Sequence, residues 1–363
     1  MNPSLHQYYR EWLAGHGPWG RPVRGLLRVA SWIYGLVVLG RLGLYRSGLL
    51  RRIRLSAPVI SVGNITAGGT GKTPFVILLA HELKDRGLRP AVVTRGYRGK
   101  REGKTVVVSD GATIEGGYPE FGDEAVLIAR KLPGVPVVMA RDRAEGGREA
   151  IRRFGAEAIV LDDGFQHLQL ERDLDIVLLD RANPLGYGCL LPRGLLREPL
   201  GALRRADLIV VTGTRAAEDA WHIPHRLREI RSAPLLHAVY LPTVLTDGKT
   251  GEAVAEADLR AQVVVAFSGI ANPLGFERTL RSLGIVPRTH LIYPDHHPYD
   301  ASDLMAIAQR MTAVGATVAL TTEKDAVRLE ALAPPFAVVA VGVRLSLVGG
   351  QPELKQFLDA LFP

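Results

Sequence analysis

Apolar and polar positions alternate along most of this chain in a strand–helix rhythm. Pro58-Val-Ile-Ser-Val62 predicts a buried strand, and Phe75-Val-Ile-Leu-Leu-Ala-His-Glu-Leu83 a helix. Arg89-Pro-Ala-Val-Val-Thr94 is a second strand, and a helix opens at Asp123 or Glu124 and runs to residue 130. Residues 136–139 then predict a strand, 143–154 a helix, and Ala158-Ile-Val-Leu a strand that ends in Asp162-Asp163. Residues 174–180 and 207–212 predict two further buried strands. From about residue 235 the rhythm restarts, with strands at 235–240, 262–267, 290–293, 317–325 and 336–343 and helices at 275–283 and 352–362. Short continuous apolar runs separated by helical patterns are the mark of parallel strands buried on both faces. The expectation is an α/β protein. One α/β unit covers residues 55–220, a linker region 221–261 and a second α/β unit 262–363, with the cleft between them as the natural site.

Residues 1–54 break the rhythm. Val29-Ala-Ser-Trp-Ile-Tyr-Gly-Leu-Val-Val-Leu-Gly40 is 12 uncharged residues bounded by Arg28 and Arg41. A spanning helix needs roughly 20 apolar residues, so this run is short for crossing a bilayer. It starts late and leads into no cleavage site, which argues against a signal peptide. Trp12, Trp19, Trp32 and four tyrosines (Tyr8, Tyr9, Tyr34, Tyr45) flank or occupy it. Interfacial aromatics, arginine flanks and a short apolar centre describe a helix lying in an anionic leaflet. The alternative is a helix packed on the protein's own core.

Charge sharpens this picture. Nine arginines against one acid, Glu11, place the entire net +8 of the chain in this segment and leave the rest balanced. A nucleic-acid face in the body of the protein therefore has no charge support. Hydrophobic content of 47% and charged content of 23% are those of an ordinary globular chain. The single cysteine, Cys189, excludes an internal disulfide framework and fits a reducing compartment.

The chemistry concentrates where strand turns into helix. Ser61-Val-Gly-Asn-Ile-Thr-Ala-Gly-Gly-Thr-Gly-Lys-Thr-Pro74 is glycine-rich and sits between the first strand and its helix. Such a turn aims backbone N–H groups and a helix N-terminus at phosphate. Thr66, Ala67, Gly68, Gly69, Thr70, Gly71, Lys72 and Thr73 would cradle the ATP phosphates, with Lys72 as a point charge and the Thr73 hydroxyl on Mg²⁺. Thr66 stands where the usual motif has its first glycine, and Ala67 where partitioning-type ATPases carry a signature lysine. Asp162-Asp163 delivers two acids at a strand's C-terminal end, the arrangement that holds Mg²⁺ beside such a loop. Arg95-Gly-Tyr-Arg-Gly-Lys100 suits an anionic substrate, and equally a solvated loop. Asp123, taken alone, reads as a helix cap.

Together these motifs resemble those of the tetraacyldisaccharide 4′-kinases, the lipid A 4′-kinases of Gram-negative bacteria. The phosphate loop, Arg-Gly-Tyr, Gly-Asp-Glu, Asp-Asp-Gly-Phe-Gln-His, Leu-Arg-Glu-Pro, Asp-His and Thr-Thr-Glu-Lys-Asp all carry the resemblance. It implies two P-loop NTPase-like α/β/α domains with a mostly parallel sheet and an N-terminal membrane-associated helix. It also implies transfer of the γ-phosphate of ATP to the 4′-hydroxyl of an acylated glucosamine disaccharide 1-phosphate, at the cytoplasmic face of the inner membrane, without an obligatory protein partner. By similarity Asp123 is the base and His296 its modulator, with His297 a competitor. Asp162, Asp163 and Glu198 fall near Mg²⁺, and Arg95, Tyr97, Arg98 and Arg197 are candidate contacts to the disaccharide or its phosphate. The rival reading is a membrane-recruited ATPase switch acting on a protein partner.

Overall fold

The computed structural model describes residues 20–97, 99–214, 224–230 and 233–363, so Arg98, Trp12, Trp19 and the other positions before residue 20 lie outside the described residues. The first element, α1 (Gly20–Arg46), is far longer than the 12-residue apolar run, because neither flanking arginine interrupts the helical pattern. Its Val23–Arg46 part is long and apolar enough to cross a membrane. A narrow stripe holds it to the protein. Ser31 Oγ donates to the Leu190 carbonyl at 2.8 Å, the Tyr34 hydroxyl to the Arg197 carbonyl at 2.8 Å, and Arg41 to the Gln166 carbonyl at 3.1 Å. Leu26, Trp32, Ile33, Leu36 and Val37 on the remaining surface are more than half exposed. The apolar side of α1 is thus not part of the core.

Behind it, β1 (Val59–Asn64) is buried along its whole length and lies between β5 (Ala158–Asp162) and β6 (Leu174–Asp180), parallel to both. On the β5 side follow β2 (Pro90–Thr94), β4 (Val137–Met139) and β3 (Val106–Ser109), the last antiparallel. On the β6 side follow β7 (Leu208–Thr212) and β8 (Leu235–Asp247). α2 (Lys72–Asp85) and α3 (Asp123–Lys131) bury Phe75, Val76, Leu79, Val126 and Ile128 against one sheet face. α4 (Arg143–Phe154) packs Ala144 and Ala150 on the other. That is a three-layer α/β/α arrangement with helices on both faces of a mostly parallel sheet.

The second half continues the same sheet. β10 (Val264–Ser268), β11 (His290–Ile292) and β12 (Val318–Thr322) are parallel neighbours, and β13 (Ala337–Gly349) joins them to β8 by a long antiparallel pairing. The result is one 13-stranded sheet that includes the short β9 (Ala253–Val254), paired on β8. After the short α5 (His225–Ile230) and α6 (Glu256–Arg260), α7 (Pro273–Ser282) and α8 (Ala301–Val314) cover opposite faces of this half, burying Phe276 and Leu280 on one side and Leu304, Ile307 and Met311 on the other. The polar cluster expected at the end of the 317–325 strand is instead the first turn of a helix, α9 (Glu323–Leu329), capped by the Thr322 side chain. After β13 the chain returns to the first half. α10 (Gln351–Leu361) inserts Leu354 and Leu358 into the core that holds Phe75 and Leu79.

Candidate active site

The phosphate loop emerges from the C-terminal end of β1, where open α/β sheets place their ligands. Gly71 ends it with φ +87, a left-handed conformation that favours glycine, and a Cβ there would collide with the Tyr240 hydroxyl. The loop is braced from within by the Asn64 side-chain amide, which donates to Thr70 Oγ1 at 3.0 Å. It is braced from outside by residues 195–197. The Ala67 N–H donates to the Leu195 carbonyl and the Arg197 N–H to the Ile65 carbonyl, both at 2.7 Å. The loop that touches the phosphate cradle is thus the same one that α1 grips through Leu190 and Arg197.

Lys72, the first residue of α2, reaches Asp163 at 3.5 Å. Asp163 also receives Arg197 at 2.8 Å. Burial works against the Asp163 charge, but Lys72 and Arg197 outweigh it and hold the carboxyl below the usual range. Asp162 behaves in the opposite way. Burial, then the nearby Glu124 and Asp163 carboxylates, push it up to about 6, although Thr94 Oγ1 donates to it at 3.0 Å. The Thr73 hydroxyl is 3.4 Å from Glu124 Oε1, to which it donates.

The opposite wall is built from both halves. Asp123, at the first turn of α3, is buried, and it caps nothing beyond its own neighbour, the Glu124 N–H. His296 Nδ1 lies 2.9 Å from Asp123 Oδ2, and the Arg328 guanidinium is 2.6 Å from the same oxygen. Burial opposes the Asp123 charge, but His296, Arg328 and Lys324 together hold its carboxyl well below the ordinary range. Burial would lower the His296 pKa, yet the Asp123 carboxylate raises it above 6.5. His296 lines the cleft and Asp123 stands behind it. His297 points elsewhere, with Nε2 2.8 Å from Asp303 and its ring stacked on Tyr293. The geometry separates the two histidines that the sequence leaves in competition.

The phosphate loop, Glu124, Asp162, Asp163, His296 and Lys324 line one cleft of about 2250 Å³ between the two halves. Arg95 and Tyr97 are at its wall, the Tyr97 ring edge-on to His296 at 5.6 Å. Arg197 also lines the cleft, with its guanidinium committed to Asp163 at 2.8 Å. Glu198 is not brought to the site. Its carboxylate is buried and ion-paired with Arg205 at 2.9 Å, off the cleft. Sequence reasoning missed Arg328, Lys324 and the place of Glu124 between Thr73 and Lys324. One turn of α9 sets Asp325 and Arg328 together at 2.8 Å, a spacing that was readable beside the Thr-Thr-Glu-Lys-Asp cluster.

The family profile described as tetraacyldisaccharide-1-P 4′-kinase matches residues 23–363. The chain belongs to this family. A tetraacyldisaccharide 4′-kinase of Syntrophus aciditrophicus is 46% identical over 336 residues, covering 89% of this chain and 90% of its own. One from Pelobacter propionicus is 43% identical over 355 residues, 97% of this chain and 96% of the relative. Among solved structures, LpxK from Aquifex aeolicus in complex with ATP superposes with a TM-score of 0.76 at 34% identity, over 94% of this chain and all of that one. These likenesses support a kinase and not a protein-partner switch.

Proposed function

We propose that this chain, a kinase of lipid A biosynthesis, transfers the γ-phosphate of ATP to the 4′-hydroxyl of a tetraacyldisaccharide 1-phosphate, with Asp123 and His296 acting as a unit on the hydroxyl proton. One observation carries the reading: a phosphate loop from one half and a carboxylate–imidazole pair spanning both halves face the same cleft. Phosphoryl transfer asks mainly for alignment and charge neutralisation, which Lys72 and the loop amides supply.

Asp123 is too heavily paired to be a strong proton acceptor by itself. Its value is to orient and charge-balance the imidazole, which meets the hydroxyl on the cleft side and takes the proton as the oxygen attacks phosphorus and ADP leaves. Mg²⁺ fits the residues present. Thr73, Glu124 and Asp162 offer hard oxygen donors, and burial together with the Glu124 and Asp163 carboxylates pushes the Asp162 pKa up. Among the described residues no group of three His, Cys, Asp or Glu side chains could hold a metal ion. A metal at Thr73, Glu124 and Asp162 would be bound partly through the substrate phosphates. When bound, it neutralises charge on the β- and γ-oxygens. Asp163, committed to Lys72 and Arg197, orients those cations.

For the lipid, we propose that α1 rests in the cytoplasmic leaflet of the inner membrane and that the disaccharide reaches Tyr97 and Arg95 from that side. The exposed apolar face of α1 and its grip on the 186–197 loop support this reading. The test is transfer of ³²P from γ-labelled ATP–Mg²⁺ to tetraacyldisaccharide 1-phosphate in detergent micelles. Labelled lipid is expected from the wild type, with His296→Ala and Asp123→Ala reduced about 10²–10⁴-fold while nucleotide binding persists. ATP hydrolysis without lipid product would sink the reading.

A further inference from the structure

The nucleotide end of the cleft carries two lysines, one from each half. Lys72 belongs to the phosphate loop, and Lys324 projects from the first turn of α9. Both line the cleft. They are held alike, each against an acid of the first half: Lys72 with Asp163 at 3.5 Å, Lys324 with Glu124. The Glu124 oxygen that meets Lys324 is also the one that accepts the Thr73 hydroxyl at 3.4 Å. Lys324 is therefore two hydrogen bonds from the residue that follows Lys72.

We propose that Lys324 contacts the γ-phosphoryl group of ATP, supplying from the second half the charge that Lys72 supplies from the first. The inference rests on the phosphate site proposed above.

Three features carry it. First, the direct partners of Asp123 are Arg328 at 2.6 Å and His296 at 2.9 Å, so the Lys324 ammonium is not bound to it and is held by Glu124 instead. Second, its backbone is held rigidly. The Asp325 N–H donates to Thr322 Oγ1 at 3.2 Å, and fully buried Asp325 receives Arg328, the Tyr299 hydroxyl and the Gly269 N–H. A cation on so fixed a base meets an incoming anion with little reorganisation. Third, Glu124 is shared between Lys324 and the Thr73 hydroxyl. An oxygen donor drawn toward the metal side leaves the ammonium in need of another anion, and in a half-buried place an ammonium requires one. The phosphoryl oxygens, over which charge spreads in a loose transition state, meet that need.

The experiment is equilibrium binding of ATP and of ADP, each with Mg²⁺, to the full-length wild type, Lys324→Met, Lys324→Arg and Lys72→Met, beside lipid phosphorylation by each. Lys324→Met is expected to weaken ATP about tenfold and ADP less than about twofold, because ADP lacks the group contacted. Unchanged ADP binding also reports a folded phosphate loop. Its kcat should fall about 10²-fold with little change in the lipid KM, and Lys324→Arg should recover part of both losses. Lys72→Met should weaken both nucleotides. If Lys324→Met weakens ATP and ADP equally, or neither, while the wild type binds both, Lys324 is only a tie to Glu124 and the inference is overturned. A wild type that binds neither nucleotide removes the phosphate site itself, and the inference with it.

Discussion

Asp162 and Asp123 show how neighbouring residues give two carboxylates opposite tempers. Asp162 sits among acids, and its folded pKa of about 6 lies above its ordinary value, so its ionised form opposes folding. The penalty is absent below about pH 4, grows as pH rises toward 6 and is complete above it. Asp162→Asn should therefore raise Tm at pH 7.5, by a gain on the order of 1–3 kcal/mol that vanishes near pH 4, while lipid phosphorylation collapses. Melting curves at the two pH values test this, and a variant less stable at pH 7.5 would refute it. At Asp123 the consequence is kinetic. In the mechanism proposed here the neutral imidazole is the base, and the Asp123 carboxylate raises the His296 pKa, so activity is expected to climb as pH rises through that raised value. Asp123→Asn should lower the plateau and move the acid limb of kcat/KM to lower pH. An acid limb that stays put would mean His296 is not the titrating group. Much of this scale was legible in the sequence. Lys72, Thr73, Asp162 and Asp163 are contiguous with the strands that present them, and local order reveals them. Arg328 was not legible. It meets Asp123 across 205 positions of chain, and only the tertiary fold makes that pair.

At the scale of elements, α1 and the 186–197 loop form the joint between the exposed apolar helix and the phosphate cradle. The joint depends on a small residue at the contact. A Cβ on Gly35 would stand 2.9 Å from Leu190 Cδ1, so Gly35→Leu should prise the helix from the loop. Lipid phosphorylation is expected to drop at least about tenfold, and nucleotide binding to weaken with it, because the 195–197 brace that is misplaced also holds the phosphate loop. Full lipid activity in this variant would show that the grip of α1 is incidental. The sequence announced an arginine-flanked apolar run here but not the helix's length, because helical order passes through both arginines. Glu198 is the opposite lesson. Beside Arg197 it looks like part of the site, yet adjacent side chains diverge, and Glu198 turns to Arg205 in the interior.

Across the whole molecule, α3 and α9 are the seam between the halves. Asp123–Arg328, Glu124–Lys324, Lys131–Glu323 and Arg130–Glu330 run along it from the interior to the surface. Their worth depends on depth. Arg328 is 1% exposed, so Arg328→Met strands the Asp123 charge and should cost about 3–5 kcal/mol. Arg130 and Glu330 are each 40% exposed, and Arg130→Ala should cost under about 1 kcal/mol. Denaturant melts of the two variants separate the cases, and equal losses would contradict the depth argument. The return of α10 to the first half has a consequence for how the enzyme is made. Domains of most proteins fold in turn as they leave the ribosome. Here the core around Phe75 and Leu79 lacks Leu354 and Leu358 until the last helix has been synthesised. Nascent chains therefore complete the core of the nucleotide half only once Leu354 and Leu358 have been synthesised.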